Sequence, residues 1–324
     1  MKKDKDIERE LDNLFDFENS IEGDIIKNAK KKSYMKITFI SLGMTILVLV
    51  LGIITKLQMT PYIVSKEIIS YDIYHSIVGA NTFLGIWEEE SKLLSSGALA
   101  PKYKLIDGKP VYVGEIDIEN SNYPYNIRTN SNELYSYFGN RIMEFYHPLV
   151  GFDKYPNDLF KIDSIDQNKN IEMAISFDRQ YSLEEVKNIL PKEIDINWMW
   201  VDTFKGDRIR GLKPYKSDIA YTEAQTVEEN YAVGFSTIEK DGELKKDPVD
   251  TFVETIELGL KRGGKYKRDI KDIHEALVGK NNKIDKNNIK VVGAVVVGNK
   301  ADLEKLKDMK TIKASSLGVI NEKY

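Results

Sequence analysis

The chain has 324 residues, a formal net charge of −4 and 42% hydrophobic residues, which is ordinary for a globular protein and gives no basis for broad nucleic-acid affinity. It has no cysteine, which excludes disulfides, a thiol nucleophile, thiolate metal sites and an acylated-cysteine lipid anchor.

The first 36 residues are highly charged and segregated in sign. Acidic residues dominate from Asp4 to Asp24, and basic residues from Lys27 onward. Ile7, Leu11, Leu14 and Phe15 fall at i, i+4, i+7 and i+8, one face of a helix. Phe17, Ile21, Ile25 and Ile26 continue the apolar content beyond an expected break near Asn19-Ser20. So short a segment cannot build its own core. Its apolar face, Ile7, Leu11, Leu14, Phe15, Phe17, Ile21 and Ile25, is therefore expected to dock on a partner. The alternative is a helix lying on the membrane surface. Such helices carry Lys and Arg on the polar face, whereas this one is acidic there.

Residues 37–54 read ITFISLGMTILVLVLGII and contain no charge. Extended to residues 35–55, the run reaches the ~20 residues needed to cross the hydrocarbon. A buried core helix is the competing reading. The flanks favour a span, with Lys30, Lys31, Lys32 and Lys36 before it and Lys56 alone just after it. By the positive-inside rule the tail is expected in the cytoplasm and the remainder outside. The charged stretch before the run is far longer than a signal-peptide n-region, and no small-x-small cleavage pattern follows, so an uncleaved signal-anchor is expected.

After the span, a helix is expected to resume beyond a break at Pro61. Residues 56–152 are expected to form a β-rich module, with a hairpin turning at Asp107-Gly108 and Tyr112, Ile116 and Ile118 facing inward. Glu88, Glu89 and Glu90 read as a solvated face, because adjacent residues do not converge on one point. A boundary is placed at 152/153, inside the turn-rich stretch 151–165. The remainder, 153–324, alternates strands and helices and is expected to form an α+β or α/β domain. Ile171, Met173, Ile175 and Phe177 alternate with Glu172, Ala174 and Ser176 as a half-buried strand. Ser182 and Glu185 form a capping box that opens a helix. Trp198 and Trp200 lie on the next strand as core, with a binding platform as the alternative. Asp247-Pro248 opens another helix, closed by Gly263-Gly264. Strands over 290–297 and 312–320 flank a last helix.

The segment VVVGNKADL, residues 295–303, has the look of a guanine-specificity motif, but no phosphate loop with a Mg²⁺-binding Ser or Thr accompanies it. It reads as a strand ending in a cap. His75, His147 and His274 are isolated from one another, and neither a hydrolase elbow nor a zinc-protease motif occurs. No catalytic residue, cofactor or metal is assigned.

Three stretches resemble the "sigma factor regulator" family, whose N- and C-terminal modules occur in membrane-anchored anti-sigma factors of Gram-positive bacteria. They are IIKNAKKKSYMKITFISLGMTILVLVLG (25–52), the segments GANTFLG (79–85) with YKLIDGKPVYVG (103–114), and IEMAISFDRQYSLEEVKNILPKEIDINWMWVDTF (171–204) followed by VVGAVVVGNKADLEKL and IKASSLGVI. The third is the most specific. The resemblance implies a single-pass protein whose cytoplasmic tail holds an extracytoplasmic-function sigma factor at the membrane until an envelope signal releases it, with a second membrane protein as a further partner. The zinc-binding type of anti-sigma domain needs cysteines and is excluded. The alternative is a signal-anchored extracytoplasmic ligand-binding protein or cell-envelope enzyme.

Overall fold

The computed structural model describes the backbone of residues 2–91, 96–119, 126–217, 221–279, 281 and 283–322, with side chains for all of these except 2–6, 11–21 and 91. The chain divides into two compact units, residues 1–62 and residues 63–324.

Helix α1 spans Lys2–His75 without interruption. Neither the break expected at Asn19-Ser20 nor the one expected at Pro61 occurs. Asn and Ser are only weak helix formers, at ~0.5 kcal/mol each. Pro61 removes one i→i−4 bond while its neighbours keep theirs. In the first unit the apolar stretch of α1 is long enough to cross a membrane, and none of its apolar window is buried. Its hydroxyls are satisfied inside the helix. Thr38 donates to the Tyr34 carbonyl (2.8 Å), Thr45 to Ser41 (2.9 Å) and Thr55 to Leu51 (2.8 Å), which is how polar side chains persist in hydrocarbon.

The second unit is built on a five-stranded sheet, antiparallel throughout, which makes the fold α+β rather than α/β. A hairpin of β1 (Ser96–Ile106) and β2 (Lys109–Asp117) precedes it. The sheet strands are β3 (Lys169–Tyr181), β4 (Asp195–Val201), β5 (Gly234–Ser236), β6 (Val291–Asn299) and β7 (Ile312–Glu322). Their order is β5-β4-β6-β3-β7. Helix α2 (Leu183–Ile189) links β3 to β4, α3 (Pro248–Arg262) and α4 (Lys267–Leu277) lie between β5 and β6, and α5 (Lys300–Glu304) follows β6.

Both faces of the sheet are covered. On one, Met173, Ile175, Phe177, Met199 and Val296 pack with Phe252 and Ile256 of α3, Ile270 and Ile273 of α4, and Ile73 near the end of α1. On the other, Ala174, Trp198, Trp200 and Val295 pack with Met143 and Phe145. Residues on either side of position 152 therefore share one core. This double cover alters the reading of β3, which is not half-buried. Glu172, Ala174 and Ser176 are as buried as Met173 and Ile175 between them, and Ser176 Oγ accepts a hydrogen bond from the Tyr146 amide at 2.9 Å. It also accounts for the unbroken apolar run of β6. Trp198 and Trp200 are 2% and 0% exposed, so neither is a binding platform.

The β1–β2 hairpin turns at Asp107 (φ 54°) and Gly108 (φ 71°), the pair of left-handed residues that a tight hairpin requires. Its inward set differs from the expected one. Lys102 pairs with Gly114 but Tyr103 with Tyr112, so Val113 is an extra, bulged residue. The bulge reverses the alternation beyond it: Val113 is 5% exposed and Tyr112 is 52% exposed. Ile118 faces inward as expected and Ile116 is half-buried. At α2 the capping box forms in full. Ser182 Oγ accepts from the Glu185 amide (3.2 Å), and Glu185 Oε2 accepts from the Ser182 amide (2.7 Å).

Candidate functional site

The tail carries the residues singled out by sequence. The whole of 2–36 lies in α1. Ile7 and Ile25 are 54% and 62% exposed, and Ile26 is exposed beside them. The side chains of Leu11, Leu14, Phe15, Phe17 and Ile21 lie outside the described residues, although their backbone is helical. Lys30, Lys31, Lys32 and Lys36 are exposed on the two turns of α1 that lead into the apolar stretch.

The second unit contains a charged cluster that sequence reasoning missed. Lys104 on β1 donates to Glu172 Oε2 on β3 at 2.9 Å and to Glu229 Oε2 at 2.7 Å, with all three residues buried. Asn81 donates to the other Glu172 oxygen (2.8 Å), and the Val319 and Met143 amides donate to Glu172 and Glu229 at 3.0 Å. Gly318 makes room for the cluster, since a Cβ there would stand 2.3 Å from Glu172 Oε2. Burial pushes the Glu172 carboxyl up, against the pull of Lys104. Burial alone would pull Lys104 down, but the two carboxylates outweigh it and hold the ammonium above its ordinary value. Sealed from water, the cluster joins the hairpin, the sheet and the 226–233 segment, and it is structural. The sequence did not signal it: Lys102 and Lys104 are two apart on a strand with Tyr103 between them, the spacing of a pair on a solvent-facing side.

The histidines do not form a metal site. His147 is buried, 3.2 Å from Asp202, and packs edge-on to Trp200. Burial works against the Asp202 charge, but bonds from His147, the Phe204 amide and Gln180 keep the carboxyl below its usual range. Among the described residues no group of three or more His, Asp and Glu is placed to hold a metal ion. Glu88, Glu89 and Glu90 are exposed along a short strand. Asn299 caps α5, accepting from the Asp302 amide at 3.1 Å, so VVVGNKADL is the strand-to-helix cap that its residues predict.

His75, on the last turn of α1, borders two clefts. The larger, about 420 Å³, is walled by Tyr74, Tyr137, Phe138 and Tyr231, with Lys102 inside it. The smaller, about 290 Å³, contains Lys240 and Lys245. Thr82 Oγ1 lies 3.1 Å from His75 Nε2 where the two meet. Burial, with Lys102 and Lys240 adding to it, pulls the His75 imidazole down to about 3, so it is neutral at physiological pH. Burial also lowers Lys102, and Glu229 only partly offsets this.

Residues 162–319 match the family described as sigma factor regulator C-terminal. No curated protein and no solved structure matches the chain. The matched stretch takes in strands from all five positions of the sheet, from Glu172 on β3 to Val319 on β7, so this module is similar to the C-terminal module of sigma factor regulators.

Proposed function

We propose that this protein is a single-pass membrane anti-sigma factor. In this reading its N-terminal tail lies in the cytoplasm and sequesters an extracytoplasmic-function sigma factor, and residues 63–324 lie outside and receive an envelope signal. It acts by binding and not by catalysis. A second membrane protein is a further partner in this reading.

The observation that carries the reading is the unbroken helix of the tail. At 3.6 residues per turn, positions 7, 11, 14, 15, 17, 21 and 25 fall within one half of the circumference. A break at Asn19-Ser20 would have split that stripe; its continuity carries the seven apolar positions, with Glu10, Glu18 and Glu22 among them, along about five turns of one side. Ile7 and Ile25, near its two ends, are exposed. A C-terminal module similar to sigma factor regulators, joined to a tail helix rich in Asp and Glu, suits a partner with a basic, DNA-binding surface. The lysines before the span support the cytoplasmic placement of the tail.

The test is co-purification of the chain, with and without residues 2–26, with extracytoplasmic-function sigma factors of the same organism. Retention of one sigma factor by the intact chain only, with a rise of its regulon on deletion, is expected. Equal retention by both forms, or no change of the regulon, would overturn the reading. The aromatic cleft favours one second reading, a signal-anchored ligand-binding protein with an inert tail. That reading predicts that a secreted chain from Pro61 onward restores a deletion strain by itself.

A further inference from the structure

The larger cleft beside His75 combines features that do not belong to a closed core. Lys102 presents an ammonium whose only short contact among the described residues is the neutral Asn230 Oδ1, at 3.1 Å. Its neighbour Lys104 is neutralised twice over, whereas among the described residues Lys102 has no carboxylate within ion-pair distance. Glu115 lines the same cleft, but the carboxylate that acts on Lys102 is Glu229, which is already bonded to Lys104. Ser136 Oγ also lines the cleft, and it is buried with no hydrogen-bond partner among the described residues. A cation in a protein-walled recess and an unsatisfied hydroxyl each have a cost unless something fills the site. The walls are aromatic. Tyr74 stacks on Tyr266 at 4.5 Å, and Phe138 meets Tyr112 and Tyr137 edge-on at 6.2 and 5.6 Å. Tyr231 is 67% exposed at the rim. A neutral His75 can donate or accept without repelling either charge.

We infer that this cleft binds a small organic anion with an apolar or aromatic body, its charged group held by Lys102 and Ser136 and its body lying against Tyr74, Phe138 and Tyr231. The volume of about 420 Å³ suits a molecule of that size. A carboxylate fits the site better than a phosphate dianion, because one ammonium, one hydroxyl and a neutral imidazole supply a single positive charge. Tyr71, Tyr74 and His75 all belong to the last two turns of α1, so an occupied cleft would rest directly on that helix. The inference does not depend on what the cytoplasmic tail binds.

The experiment is isothermal titration of the full chain in lipid nanodiscs with benzoate, benzamide and inorganic phosphate. Benzoate is expected to bind saturably in the millimolar range, as a fragment of its size does. Benzamide and phosphate are expected to bind at least about 10-fold more weakly, the first lacking the charge and the second the body. Lys102→Gln should weaken benzoate by about 10-fold or more. Tyr231→Ala, at an exposed position that the fold does not need, should weaken it by a few-fold. No saturable benzoate binding, equal binding of benzoate and benzamide, phosphate binding as tight as benzoate, or benzoate binding unchanged in both variants would each overturn the proposal. None of these results bears on sigma-factor retention by the tail, so the two readings fail independently.

Discussion

Replacing Lys104 with Met removes the one cation from a buried site that holds two carboxylates. In the intact protein Lys104 lies 2.9 Å from Glu172 and 2.7 Å from Glu229, and all three are shielded from water. The methionine preserves the volume of the chain, so packing changes little. What remains is uncompensated negative charge, and breaking a buried pair in this way costs about 3–5 kcal/mol. That is a large share of the roughly 5–15 kcal/mol by which a domain is stable. The pH dependence of the loss is equally specific. Burial already pushes the Glu172 carboxyl up, and Lys104 is the strongest influence holding it down. Without Lys104 it rises further above the unfolded value of about 4.3. A carboxyl raised on folding makes the native state bind more protons than the unfolded one, so stability falls as pH rises through the folded value. The deficit of the variant should therefore be greatest near pH 8 and shrink toward pH 5. Urea unfolding in detergent, followed by the fluorescence of Trp198 and Trp200 inside the sheet, measures it. Adding Glu172→Gln should recover a substantial part of the loss at pH 8. A deficit below about 1 kcal/mol, or one independent of pH, would refute the assignment of the cluster as a coupled, water-free unit.

Three further outcomes are expected. Trp200→Ala empties a fully buried position between Phe145, Phe204 and the backbone of β6, and it should cost about 3–5 kcal/mol in urea unfolding followed by circular dichroism. Ser182→Ala removes the hydroxyl that caps α2 and should cost about 0.5–2 kcal/mol with the fold intact by circular dichroism. On the proposed topology a reporter fused after Tyr324 should lie outside, and exchanging Lys30, Lys31, Lys32 and Lys36 together for Gln, which removes the charge bias across the apolar stretch, should make its placement mixed, as read by alkaline phosphatase activity or protease protection.

Much of the second unit was legible in the sequence because local rules and tertiary context agreed there. The capping box at Ser182, the Asp107-Gly108 turn and the Asp247-Pro248 helix start each follow from residues within four positions of one another. The departures have tertiary causes. Glu172 alternates with apolar neighbours like a solvent-facing residue, and only the cover of a second layer turns that face into an interior, with Lys104 brought from 68 positions away. Tyr112 faces out because of a bulge that no nearby residue signals except Gly114, which holds φ at 136°. Pro61 does not end its helix, because only its own i→i−4 bond is lost and α1 continues on both sides of it. The tail stripe was legible as spacing, whereas its continuity was not, since Asn19 and Ser20 are residues that end helices as readily as they extend them. The aromatic cleft was invisible for a different reason: Tyr74, Lys102, Ser136 and Tyr231 come from four separate stretches, and no spacing connects them.

The central claim is that one side of the tail helix holds a sigma factor, and photo-crosslinking tests it directly. Position 14 of the helix lies within the apolar stripe, and position 16 lies about 160° away on the opposite side, so a benzophenone-bearing residue is placed at each in turn. In the full chain inserted in native membranes, irradiation should give an adduct with an extracytoplasmic-function sigma factor from position 14 and little or none from position 16. Adducts of equal yield from both positions, or no sigma-factor adduct from position 14, would contradict the account.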